Sequence, residues 1–168
     1  MRTRVVFAAT CAIAVALLAF GYYLQYGRGL EPCPLCIVQR WFFIGIAVVA
    51  LVAGLHGASR LGTRVYAVLL LLPGTGGAAT AGRQVWLQHL PPDRLPECGP
   101  GLDYMLEFYP LPRVLDMLFK GSGECAEVAW SFLGLSIAEW ALVWFAVAIL
   151  VAVLLIVRPQ PVGRVAAG

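Results

Sequence analysis

The chain has 168 residues, 61% hydrophobic and 12% charged, with a formal net charge of +3 and a mean hydropathy of +0.83. A soluble domain carries about 25% charged residues. The apolar residues here are also gathered into long runs, which excludes a soluble domain and indicates an integral membrane protein built as one bundle. The small positive charge is too weak to make a nucleic-acid surface.

The first apolar stretch covers residues 5–24, behind Arg2 and Arg4. It is longer than a signal-peptide core, and no small-x-small cleavage site closes it before Tyr22, so it reads as an uncleaved anchor. Tyr22, Tyr23 and Tyr26 end it as an interfacial aromatic belt. A short loop, 25–36, carries "EPCPLC" and leads into the second stretch, 37–55. Pro34 suits the first turn of a helix, where its missing N–H costs nothing, so the second helix is predicted to begin inside the CPLC motif. Cys36 and Arg40 are then four apart on one face, with Cys33 near the same stripe.

Arg60 and Arg64 precede the third stretch, 65–87. Its "LPGTGGAATAG" lacks the Lys-Ser/Thr ending of a phosphate loop. Gly74, Ala78 and Gly82 recur at four-residue spacing and predict close helix–helix packing, and Pro73 predicts a kink. Arg83 and His89 lie near the end of this stretch. Both suit interfacial anchoring. His89 also suits a contribution to a ligand pocket, as hydrogen-bond donor or proton shuttle.

A long loop, 88–135, follows. Within it "LPRVLDMLF" sets Leu111, Val114, Leu115, Leu118 and Phe119 at helical spacing. That is too short to span, so a helix lying on the membrane surface is predicted. The fourth stretch, 136–157, opens on "SIAE", a capping box that makes Glu139 a cap rather than an acid catalyst. Trp140 and Trp144 place aromatic rings at its start. Each stretch reaches the roughly 20 residues needed to cross a bilayer, and none alternates as a strand would. The fold class is therefore all-α, a membrane four-helix bundle forming one domain over 1–168.

Charge fixes the expected orientation. The segments holding Arg2 and Arg4, Arg60 and Arg64, and Arg158 and Arg164 contain no acid, whereas the long loop holds seven acids against three bases. Counting Lys and Arg places both termini and the middle loop in the cytoplasm and the two cysteine-bearing loops outside. Of the five cysteines, Cys11 lies inside the first stretch and reads as a small buried residue. Cys33, Cys36, Cys98 and Cys125 all fall on the outer side. In an oxidising periplasm such cysteines form disulfides, and proximity favours Cys33–Cys36, leaving Cys98–Cys125. A four-cysteine zinc site wants a second close-spaced pair, and Cys98 and Cys125 each stand alone, so no metal is expected.

A thiolate at Cys36 gains from the helix N-terminus and a nearby cation, while burial opposes its charge. Arginine at mid-membrane costs about 2.5–3.5 kcal/mol, less near the interface, where it snorkels. A cation beside a redox sulfur suits a lipid-soluble acceptor such as a quinone, whose carbonyl oxygens accept hydrogen bonds and gain negative charge on reduction.

"CPLCIVQR", the single cysteine of "PPDRLPECGP" and "GECAEVAWSFLGLSIAEWALVWF" together resemble the disulfide bond formation protein B (DsbB) family over nearly the whole chain. The resemblance implies a multi-pass oxidase of the bacterial inner membrane. Its four catalytic cysteines would be Cys33, Cys36, Cys98 and Cys125, with Arg40 holding ubiquinone or menaquinone. The partner implied is a DsbA-like periplasmic thiol oxidase. Its thiolate would attack the Cys98–Cys125 disulfide at Cys98, and electrons would pass through a transient Cys33–Cys125 bridge to the Cys33–Cys36 pair. Gln39 stands where a member of the family has an acidic residue, and it supplies no negative charge. Two other readings compete: a scaffold with two static disulfides, and an enzyme like vitamin K epoxide reductase. The latter would place the loop pair before the CxxC, the reverse of the order here.

Overall fold

The computed structural model describes residues 2–94, 102–120 and 123–158. Six helices occur among them: α1 (Arg2–Arg28), α2 (Pro34–His56), α3 (Arg60–Gln88), α4 (Leu102–Phe108), α5 (Leu111–Lys120) and α6 (Ile137–Val157). Helices α1, α2, α3 and α6 are long and apolar enough to cross a membrane. The chain is a multi-pass membrane protein with the fold of a four-helix membrane bundle. At about 1.5 Å per residue, the 29 residues of α3 are more than long enough to cross a hydrocarbon core of about 30 Å.

Local chemistry sets the helix ends that matter. Cys33 is the N-cap of α2, extended at φ −65° and ψ 162°, and Pro34 occupies the first turn. The proline ring locks φ, and its missing N–H leaves no orphan donor. Gly57 ends α2 in the left-handed region at φ 61°, where a Cβ would be strained. Helix α6 starts on the expected capping box. Ser136 Oγ accepts from Glu139 N at 3.2 Å, and Ser136 N donates to Glu139 Oε2 at 2.6 Å. Ser136 Oγ also donates to Gln88 Oε1 at 2.8 Å, which ties the start of α6 to the end of α3.

Helix α1 packs on α2, α2 on α3, and α3 on α6. Phe43 of α2 and Phe145 of α6 stack at 4.2 Å in the middle of the core. Small residues allow these approaches, at Gly74 and Ala78 of the expected row but not at Gly82, and at Gly76 and Gly77 beside it. Cβ atoms built on Gly74 and Gly77 would meet Ile149 and Phe145 of α6, and one on Gly76 would meet Phe42 of α2; Gly82 has nothing within 4 Å. A helix with neighbours on two sides needs small residues on two faces, and the i, i+3 row carries the α6 contact as well as i, i+4. Pro73 sits inside α3 without ending it. Between α1 and α6 the bundle opens into an apolar crevice of about 200 Å³, lined by Ala14, Leu17, Trp144 and Val147 among others.

The loop between α3 and α6 holds structure that hydropathy did not show. Helix α5 lies where helical spacing placed one, with Val114 buried and Leu111 exposed. Helix α4 was not expected. Nor was the two-residue hairpin pairing Ser131 with Ser136 and Phe132 with Leu135. Its turn sets Leu133 at φ 53° and Gly134 at φ 81°, the paired positive φ of a type I′ turn. Such short strands carry no readable alternation.

Candidate active site

The α2 N-terminus brings Cys33 and Cys36 to the end of the bundle where the long loop folds over it. Cys33 is buried and Cys36 half-buried. Cys33 Sγ donates to Cys36 Sγ at 3.2 Å, well beyond the roughly 2.05 Å of a disulfide; the pair is a dithiol. A 3-10 turn, Gly123–Ala126, rests on α2 and α3 and carries Cys125, fully buried, into a cluster with Cys33, Leu35 and Leu87. The hydrogen bond with Cys125, that with Cys36, and burial all push the Cys33 thiol up from its ordinary value. Cys33 therefore resists ionisation and serves as a donor to its neighbours. Cys98 lies outside the described residues.

Arg40 stands one turn beyond Cys36 and reaches across to α1. It donates to Gln25 Oε1 and, at 3.1 Å, to Gly21 O, and its guanidinium lies 4.7 Å from the centre of the Tyr22 ring. Gly21 lets the side chain lie close: a Cβ there would come 3.7 Å from Arg40 Nε. Among the described residues no carboxylate pairs with Arg40, so its charge is held by neutral acceptors and an aromatic face.

Both sulfurs and the guanidinium line one cavity of about 780 Å³. Its walls are mainly apolar and aromatic, including Phe20, Leu24, Phe43, Trp140 and Trp144, and it shares Leu17, Phe43 and Trp144 with the crevice between α1 and α6. Gln84 and Gln88 of α3 also line it. Gln84 Nε2 lies 3.2 Å from Cys36 Sγ and 3.4 Å from Cys33 Sγ. Gln39 Nε2 donates to Gln84 Oε1 at 2.7 Å.

His89 is not among the cavity-lining residues. It caps α3, exposed, with Nδ1–H donating to Val85 O at 2.8 Å. Arg83 lies over the Trp86 ring at 4.2 Å, as an interfacial anchor would. Cys11 is half-buried beside the apolar core clusters. Among the described residues no group of three or more His, Cys, Asp or Glu is placed to hold a metal ion.

A family model described as disulfide bond formation protein DsbB matches residues 3–155. The chain belongs to the DsbB family. It is 53% identical over 153 residues to "Disulfide bond formation protein B" of Azoarcus sp. (strain BH72), covering 91% of this chain and 92% of that relative. A relative of the same name from Aromatoleum aromaticum (strain DSM 19018 / LMG 30748 / EbN1) is 50% identical over 94% of this chain and 95% of its own length. The one from Hahella chejuensis (strain KCTC 2396) is 55% identical over 80% of this chain and 82% of its own. DsbB-family membership makes the chain a disulfide-forming oxidoreductase of the membrane.

Sequence reading missed four polar side chains that surround this DsbB-family site: Tyr22, Gln25, Gln84 and Gln88. The signal for Gln84 was present, since a glutamine inside an apolar span is expensive unless paired. Its partners lie 45 to 51 residues away, and no local spacing rule reaches them.

Proposed function

We propose that this chain is a thiol:quinone oxidoreductase of the bacterial inner membrane that reoxidises a DsbA-like periplasmic dithiol protein. The observation that carries the reading is one cavity lined by Cys33, Cys36 and Arg40. A volume of about 780 Å³ falls within the roughly 300–1,000 Å³ of small-molecule sites. Apolar walls with a few convergent polar groups suit the head of a membrane quinone such as ubiquinone or menaquinone. The open α1–α6 crevice suits its chain. When bound, the quinone supplies a two-electron, two-proton acceptor.

The chain's own residues do the rest. The partner's thiolate attacks Cys98 of a Cys98–Cys125 disulfide and frees the Cys125 thiolate. Cys125 then exchanges with the Cys33–Cys36 disulfide, forming Cys33–Cys125 and releasing Cys36. The packing of Cys33 against Cys125 supports this step. A second partner thiolate resolves the mixed disulfide at the partner's own sulfur and frees Cys98, whose thiolate attacks Cys125 and returns the electrons to Cys33 and Cys36. Closing that dithiol to a disulfide releases two electrons and two protons. Arg40 donates to an acceptor oxygen and stabilises the negative charge gained there.

An acceptor more oxidising than thiols is required. A DsbA-type couple lies near about −120 mV and a glutathione pool near about −200 mV; reoxidation by glutathione is uphill by about 80 mV, or about 4 kcal/mol. The basic residues around both termini and between α2 and α3 support a cytoplasmic location for those segments. The cysteine loops then face the periplasm.

The test is a mixed-disulfide trap. A DsbA-like protein lacking its resolving cysteine is mixed with the oxidised membrane protein, and the captured cysteine is mapped by mass spectrometry. Capture at Cys98 is expected. A partner that captures nothing, in a preparation that also leaves ubiquinone unreduced, contradicts the proposal.

A further inference from the structure

The two sulfurs of the dithiol meet a buried pair of amides that the steps above do not use. Gln84 and Gln39 are each 4% exposed. They come from neighbouring helices, and their amides join at 2.7 Å, Gln39 Nε2 to Gln84 Oε1. The Gln84 oxygen also lies 3.6 Å from Cys36 Sγ, a longer contact in which the thiol donates; Gln84 Nε2 stands closer to the sulfurs, at 3.2 Å from Cys36 and 3.4 Å from Cys33. Arg40, by contrast, spends donors on Gln25 and Gly21.

Two unpaired glutamines in a membrane bundle would each leave polar atoms without water, which is costly. Here the amide of Gln39 donates to that of Gln84, and the Gln84 amino group lies against both sulfurs, closer to Cys36. A donor matters most to a sulfur carrying full negative charge, because hydrogen bonds to charged groups are the strong ones. A cysteine with such a donor is the better leaving group in exchange.

We infer that Gln84 is a catalytic hydrogen-bond donor to Cys36, oriented by Gln39 as its positioning residue, and that this amide pair makes Cys36 the sulfur that departs as a thiolate. The inference rests on the proposed relay. In the step concerned the Cys125 thiolate attacks Cys33 Sγ, the Cys33–Cys125 bond forms, and the Cys33–Cys36 bond breaks with its electron pair leaving on Cys36. No net oxidation occurs and no proton is required. Gln84 receives the new thiolate from the side, while Cys33 is occupied by the new bond.

The other titratable or charged groups near Cys36 are Cys33 on its own helix, Cys125 on the loop turn and, around the cavity, Glu31, Arg40, Glu124 and Glu127. Apart from Cys33, which is serine in every sample compared so that Cys36 cannot pair with it, none changes in the substitutions that follow. The full-length protein carrying Cys33→Ser is purified in detergent and alkylated with iodoacetamide across pH, and modification at Cys36 is read by mass spectrometry. Gln84→Met removes the donor at nearly constant length. It is expected to raise the midpoint of the Cys36 profile by about one pH unit, a tenfold loss of thiolate below it. Gln39→Met leaves Gln84 in place but unanchored, and is expected to move the midpoint the same way by less. It carries the test if Gln84→Met does not fold.

An unmoved midpoint in the folded variants overturns the inference. Alkylation needs neither quinone nor partner, so failure here is separable from failure of the relay. A shifted midpoint in a protein that cannot reduce quinone retires the proposed function and keeps the hydrogen bond. An unshifted midpoint in a protein that does reduce quinone retires only the role of Gln84.

Discussion

Cys36→Ser is expected to bring ubiquinone reduction down to the uncatalysed background. The serine hydroxyl keeps nearly the size of the thiol but cannot close a disulfide, so the two electrons arriving at Cys33 have no route onward. Cys33 is packed against Cys125, and with its normal mate gone it can still pair there. The Cys33 thiolate can attack Cys125 of the Cys98–Cys125 disulfide and release Cys98 as a thiol, so the variant should accumulate a Cys33–Cys125 disulfide, visible as a cross-linked peptide pair after digestion under non-reducing conditions. Turnover above background in Cys36→Ser, or a protein with no Cys33–Cys125 link after oxidation, would contradict the proposed order of transfer.

A second large effect belongs to the scaffold. A Cβ built on Gly77 runs into the Phe145 ring, and that ring is fully buried and stacked on Phe43 at 4.2 Å. Gly77→Leu cannot be accommodated by moving a flexible side-chain end, because Phe145 has packed neighbours behind it. Overpacking costs about 1–3 kcal/mol in well-packed cores; parting α3 from α6 should place Gly77→Leu at the top of that range or beyond. The expected result is a fall in melting temperature measured in detergent by circular dichroism, with loss of monodisperse protein. Gly82→Ala is the matched comparison. Nothing lies within 4 Å of a Cβ there, and replacing glycine in a helix interior gains about 0.5–1 kcal/mol, so its melt should hold or rise. Equal behaviour of the two variants would show that the α3–α6 contact does not depend on Gly77.

Much of this bundle is written locally. Four long apolar runs are sufficient for four crossing helices, because lipid leaves the backbone few alternatives. Cys33 and Pro34 set the start of α2, and Ser136 and Glu139 that of α6, because a cap needs only three or four consecutive residues. The helical repeat was enough to put Arg40 on the same side as Cys36. Packing partners are a different matter. The Gly74, Ala78, Gly82 row was legible as a stripe of small residues, but which of them face a neighbour depends on where α2 and α6 lie, and Gly76 and Gly77 carry contacts the stripe omitted. Gln84 went unread because its partners on α2 are remote in the chain. His89 looked close to the site in sequence, yet its place at the end of α3 turns it to Val85 O rather than into the cavity. Sequence shows that a histidine is near the surface; the helix phase decides which way it faces.

The measurement that bears most directly on the shared cavity is single-turnover reduction of ubiquinone by the fully reduced protein, with Arg40→Ala beside the wild type. Arg40, Cys33 and Cys36 line the same space, and one charge-assisted hydrogen bond to the acceptor is worth about 1.5–3 kcal/mol, so the variant should reduce quinone about tenfold to a hundredfold more slowly. An Arg40→Ala protein that reduces quinone as fast as the wild type, at every quinone concentration, would show that the acceptor does not sit beside this guanidinium.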